Sequence, residues 1–207
     1  MTVLGANARA GGLEPSATGA AEGPADDGRT VRVWDPLVRI FHWSLLAAVI
    51  TAWVTADEVQ AVHEVVGYGI AGLLAVRIVW GFIGSTHARF SDFVYRPSAV
   101  AAHLVATARL SARRYLGHNP AGGAMIIALL AMLALTCATG IAMTTEVYAD
   151  VHWVEEIHEA IVNGLFVLVG LHVVGVLVAS LEHRENLVRA MITGRKRRDL
   201  DVGVGPR

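Results

Sequence analysis

One cysteine is too few for most cysteine chemistry. Among 207 residues only Cys137 is present, and it lies in an apolar run. That count excludes an intrachain disulfide, CxxCH haem attachment, a cysteine-ligated iron–sulfur cluster and an all-cysteine zinc site. Cys137 itself reads as a small core residue. Residues 1–30 lack any apolar run. Rich in Ala and Gly, they have neither the basic start nor the apolar centre of a signal peptide, and they read as a disordered tail. Missing too are an HExxH motif, a phosphate-binding glycine loop, an internal repeat and any stretch of soluble-domain composition.

What the chain has in abundance is apolar sequence. It is 54% hydrophobic, with a mean hydropathy of +0.50, which a soluble domain of this size seldom reaches. Four segments approach the length of about 20 residues that a spanning helix requires. They are Leu37–Ala56, Val62–Ile83, Gly122–Met143 and Ile157–Leu181. The fold expected is an all-α integral membrane four-helix bundle over residues 31–196, followed by a basic tail at 197–207. Two shorter stretches, Ser98–Leu116 and Glu185–Ile192, read as amphipathic helices lying along the cytoplasmic surface.

The net charge of −1 hides an asymmetry. All 17 basic residues precede the first segment, sit in or near its start, lie between the second and third (with Arg77 late in the second), or follow the fourth. None lies in the loops after the first and third segments. The positive-inside rule then puts both termini in the cytoplasm. The opposite side is acidic, with Asp57, Glu58 and Glu64 around one loop and Glu146, Asp150, Glu155, Glu156 and Glu159 around the other. Such a face is either simply solvated or a dock for a positively charged redox protein.

Ionisable residues inside spans point to function. His158 and His172 are 14 residues apart, which is a rise of about 21 Å on nearly one helix face. His42, near the inner end of the first span, matches His172 in depth. His63, opening the second span on the outer side, matches His158. The pattern suits two bis-histidine sites stacked across the bilayer, each holding a non-covalent haem b by two imidazoles. Arg77 lies 14 residues after His63, at the depth of the inner pair, and suits a haem propionate. Arg39 is a second candidate for that role. Gly67, Gly69, Gly164, Gly170 and Gly175 cluster near these histidines, either clearing room for a flat group or allowing close helix packing. His87, His103, His118 and His183 read as surface residues. His152 with Glu155 and Glu156 is a weak candidate for zinc or copper. The five tryptophans fall near span ends, as an aromatic belt would.

Several motifs together resemble one family. VWDPLVRIFHW, HEVVGYGIAGLLAVRIVWGFIG with ARFSDF, HNPAGG, EEIHEA, LHVVGV and HRENLVRAMITGRKR are similar to the bacterial cytochrome b561 and nickel–iron-hydrogenase b-type cytochrome subunits, over Val31–Lys196. The resemblance implies a di-haem, quinone-linked cytochrome of the inner membrane, with iron ligands at His42, His63, His158 and His172. It further implies electron exchange between the quinone pool and a partner such as a hydrogenase or a soluble c-type cytochrome. Two other readings stay open: a superoxide:ubiquinone oxidoreductase needing no protein partner, and a haem-free metal-binding or transport protein. Nucleic acid is not among the expected partners.

Overall fold

Three Xaa-Pro steps start helices in this chain. Proline suits the first helical position, where its missing N–H costs nothing. The computed structural model describes residues 30–149 and 151–198. Apart from Thr30, Arg197 and Arg198, the two expected tails therefore lie outside the described residues. Helix α1 (Pro36–Thr55) is capped by Asp35, whose side chain accepts from the Val38 N–H at 2.8 Å. Helix α2 runs Gln60–Ile83. After a 3₁₀ turn at Thr86–Ala88 come the single-turn α3 (Phe90–Phe93) and α4 (Pro97–Ala108). Helix α5 (Pro120–Met143) is capped by Asn119, which accepts from the Gly122 N–H. Helix α6 spans His152–Glu182, and α7 spans Leu187–Thr193.

Helices α1, α2, α5 and α6 are each long and apolar enough to cross a membrane. They coincide with the four expected spans, with one difference of length. At 31 residues, α6 is about 46 Å long. It exceeds an apolar core of about 30 Å and stands out at its ends. Large apolar side chains such as Val65, Phe82 and Leu181 are 70% or more exposed, which fits lipid as their surroundings. The two shorter helices depart from expectation. Helix α4 stops at Ala108, because Leu110 takes a left-handed conformation (φ 52°) and the Ser111 N–H returns to the Ala106 carbonyl. This is a helix stop of the kind glycine usually makes; without glycine there, the sequence reads on as helix to Leu116.

Two three-residue strands went unforeseen. Strand β1 (Thr30–Arg32) pairs antiparallel with β2 (Arg195–Arg197), Val31 opposite Lys196. Gly194, at φ 77°, closes α7 and turns the chain into β2, while its carbonyl accepts from the Val33 and Trp34 N–H groups. A Cβ at Gly194 would also press on the Trp34 carbonyl. This strap ties the two ends of the described chain to one end of the bundle, here termed the strapped end.

Packing is uneven around the bundle. Helix α5 sits against α2 and α6, and α1 against α2, whereas α6 has little close backbone packing with α1 or α2. The buried centre is Ile70, Leu74, Leu133 and Leu165, ringed by side chains including Leu45, Val49 and Val169. Ile70 lies seven residues after His63, and Leu165 lies midway between His158 and His172. The apolar core therefore forms a layer between the two levels of histidine.

Candidate functional site

The gap between α6 and the α1–α2 pair is where the four candidate histidines converge, from α1 (His42), α2 (His63) and α6 (His158 and His172). At the far end, the His63 and His158 rings have centroids 6.4 Å apart and planes at 80°. Imidazole nitrogen ligates a first-row metal at about 2 Å. Two rings on opposite sides of one metal therefore have centroids about 6 Å apart.

The other ring nitrogens fix the tautomers. His63 Nδ1 is 2.8 Å from the Ala52 carbonyl oxygen, which can only accept, so Nδ1 carries the proton. His158 Nδ1 lies 2.8 Å from Thr139 Oγ1. That hydroxyl donates to the Leu135 carbonyl at 2.9 Å, leaving its oxygen to accept from His158. Both rings thus keep Nε2 as a free lone pair, as a metal ligand needs. Gly140 makes the room: a Cβ there would lie 3.2 Å from His158 Cε1.

At the strapped end lie His42, on α1, and His172, on α6, and His42 Nδ1 is buried with no hydrogen-bond partner among the described residues. Arg77 is 3% exposed, and its Nη1 is likewise unpartnered. Its guanidinium carbon sits 5.4 Å from the Phe90 ring centroid and 6.0 Å from that of Phe93. Arg39 faces elsewhere: its Nε donates to the Met191 carbonyl at 3.3 Å and its Nη2 to that of Ile192, so it ties α1 to α7.

A stretch of the chain matches the family described as prokaryotic cytochrome b561, over residues 33–194. The chain belongs to that family. It is 23% identical over 216 residues, 81% of this chain and 86% of the relative, to a "Probable Ni/Fe-hydrogenase B-type cytochrome subunit" of Bradyrhizobium diazoefficiens. No solved structure matches. This is a bacterial membrane b-type cytochrome, an electron-transfer protein whose family cofactor is haem b.

The residues fit that group. Besides the paired imidazoles, open space flanks Gly67, Gly69, Gly72, Gly170 and Gly175: a Cβ at any of these would meet nothing within 4 Å. At Gly67, Gly69, Gly170 and Gly175 no neighbouring helix approaches closely, so close packing is not what these four provide. Close packing holds at Gly164, where a Cβ would lie 2.8 Å from the Met132 methyl.

Two of the supposed surface histidines are in fact interior. His103 is 7% exposed, against Tyr115. His118 packs on Trp34 at 4.5 Å and on Phe93 at 4.8 Å between centroids. The available signal was position: His118 immediately precedes the helix cap Asn119, a place where side chains fold back onto the first turns. Trp34 and Trp80, near helix ends as expected, are engaged there: Trp34 packs on His118 and Trp80 donates to Asp35 Oδ2 at 3.0 Å. His152 pairs with Glu155 at 3.5 Å and Glu156 at 3.3 Å, all three well exposed. No group of three or more potential metal ligands occurs among the described residues.

Proposed function

We propose that this cytochrome carries electrons across the bacterial inner membrane between the quinone pool and a redox partner protein, using two haem b groups. His63 and His158 hold one, at the far end; His42 and His172 hold the other, at the strapped end. Held by two imidazoles at each site, haem b would supply reversible one-electron transfer. The residues do the rest. Ala52 and Thr139 hold the far pair in the ligating tautomer. Ile70 and Leu165 keep water out of the layer between the sites. Arg77, rather than Arg39, faces the propionates. The single observation that carries this reading is the His63–His158 pair, 6.4 Å apart with both Nδ1 atoms engaged.

We place the strapped end in the cytoplasm, since every described Lys and Arg outside the spans lies in segments at that end. The far loops then face outward. They hold Asp57, Glu58, Glu146, Glu155 and Glu156 and no Lys or Arg, which suits a basic partner such as a c-type cytochrome, or a hydrogenase of the kind named for the Bradyrhizobium relative. Extraction and quantification of haem from purified protein should give two per chain. His158→Ala should retain one, with a six-coordinate spectrum. A wild-type stoichiometry of one overturns the two-site reading.

A further inference from the structure

Two unpartnered donors lie together at the strapped end. Arg77 Nη1 and His118 Nδ1 are both buried and without hydrogen bonds among the described residues. They approach from different directions, Arg77 from α2 and His118 from the turn entering α5. Phe93, 0% exposed, neighbours both, its ring centroid 6.0 Å from the Arg77 guanidinium carbon and 4.8 Å from the His118 ring centroid. Each side chain is within the other's electrostatic reach, and His118 also senses His172.

Among the described residues no carboxylate hydrogen-bonds either group; Asp92, beside Gly117, is engaged by His87 Nδ1 at 3.0 Å. Every charge acting on His118 comes from a base: Lys196, Arg77, His87 and His172. Asp35 senses Arg77 at a distance, but its oxygens are taken by the Val38 N–H, Trp80 Nε1–H and Ser85 hydroxyl. Aromatic faces offset part of the guanidinium's charge, yet a buried cation without a hydrogen-bonded anion is costly. Two buried, unpartnered nitrogens beside the same Phe93 ring suit a carboxylate.

We propose that Arg77 and His118 jointly seat a carboxylate of the strapped-end haem, Arg77 through its guanidinium and His118 by donating its Nδ1–H. This rests on the two-haem reading above and adds a binding residue to it. Burial first, and then Lys196 and Arg77, press the His118 pKa down to about 3. A neutral ring offers one N–H and a protonated ring two, so either form can donate to a carboxylate. The Tyr95 hydroxyl, donating to the His118 carbonyl at 3.4 Å, and the Trp34 and Phe93 faces hold the residue in place.

The test uses detergent-purified holoprotein and two readouts besides activity: haem loss to excess apomyoglobin, and the haem propionate bending bands in resonance Raman spectra. Arg77→Gln and His118→Ala should each speed loss of one haem about tenfold and shift the propionate bands, leaving loss of the haem that His158→Ala removes unchanged. His118→Asn, which sets an amide nitrogen near the Nδ1 position, should keep the wild-type band. If His118→Ala does not accumulate, His118→Asn against His118→Gln makes the same comparison, because the longer amide misses that position. Bands unmoved in the variants, or equal acceleration for both haems, overturn the proposal. A wild-type preparation without two haems instead overturns the reading beneath it.

Discussion

A histidine's function is set by what holds its second nitrogen. At His63 and His158 those partners, Ala52 and Thr139, lie 11 and 19 residues away on neighbouring helices. Spacing along the sequence made the four histidines legible as two levels, because a period of 3.6 residues encodes depth and face. It could not reveal the proton acceptors, which depend on which helices become neighbours. Nor could it reveal the place of His118, since a loop residue carries no period. Lys196 makes a similar point. It is 7% exposed, donating to the Tyr115 and Leu116 carbonyls at 3.1 and 3.0 Å, 4.0 Å from Glu185 and over the Trp34 ring. Burial pushes its pKa down from 10.5 to about 8, Glu185 opposing and Arg114 adding to the effect. Between those values the unfolded chain binds more protons than the folded one, so stability should rise as pH climbs through that window and be flat below it. Thermal unfolding across neutral to alkaline pH checks this, and Lys196→Met should abolish the rise.

Elements were legible where a cap or a proline announced them. Asp35-Pro36 and Asn119-Pro120 start α1 and α5 with side-chain caps, two residues from the expected boundary in α5 and one in α1. The end of α4 was not legible, because Leu110 does there what glycine usually does. Short α3 is held by two glycines that let it come close. A Cβ on Gly81 would strike the Phe90 ring, and one on Gly123 would strike the Phe93 backbone carbonyl. A ring can tilt away; a carbonyl in a helical turn cannot without moving the turn. Gly123→Ala should therefore destabilise the protein by about 1–3 kcal/mol, read as a lower thermal midpoint of the haem-loaded protein. Because Phe93 packs beside both Arg77 and His118, the variant should also disturb the strapped-end haem before the far one. An unchanged midpoint would mean that α3 is not pinned against α5.

At the scale of the molecule, hydropathy revealed the four crossings, and arginine placement suggested their direction. The strap was invisible, since Thr30–Arg32 and Arg195–Arg197 are short and polar and carry no alternating pattern. Its anchor is the buried Glu185, which accepts from Arg114 Nη2 at 3.0 Å and from the Arg197 N–H at 2.9 Å. Reporter domains fused to either end should appear on the same, cytoplasmic side; opposite sides would refute an even number of crossings, and an external location would refute the arginine-based orientation. Paired strands lie about 4.8 Å apart, so Thr30 and Arg197 stand opposite one another within reach of a peptide bridge only a few residues long. The backbone is thus nearly a closed circle. Joined there and reopened in the loop between α1 and α2, the same crossings would be threaded from the other membrane face, and recovery of the far-end haem signal would show how little the bundle depends on where its chain starts.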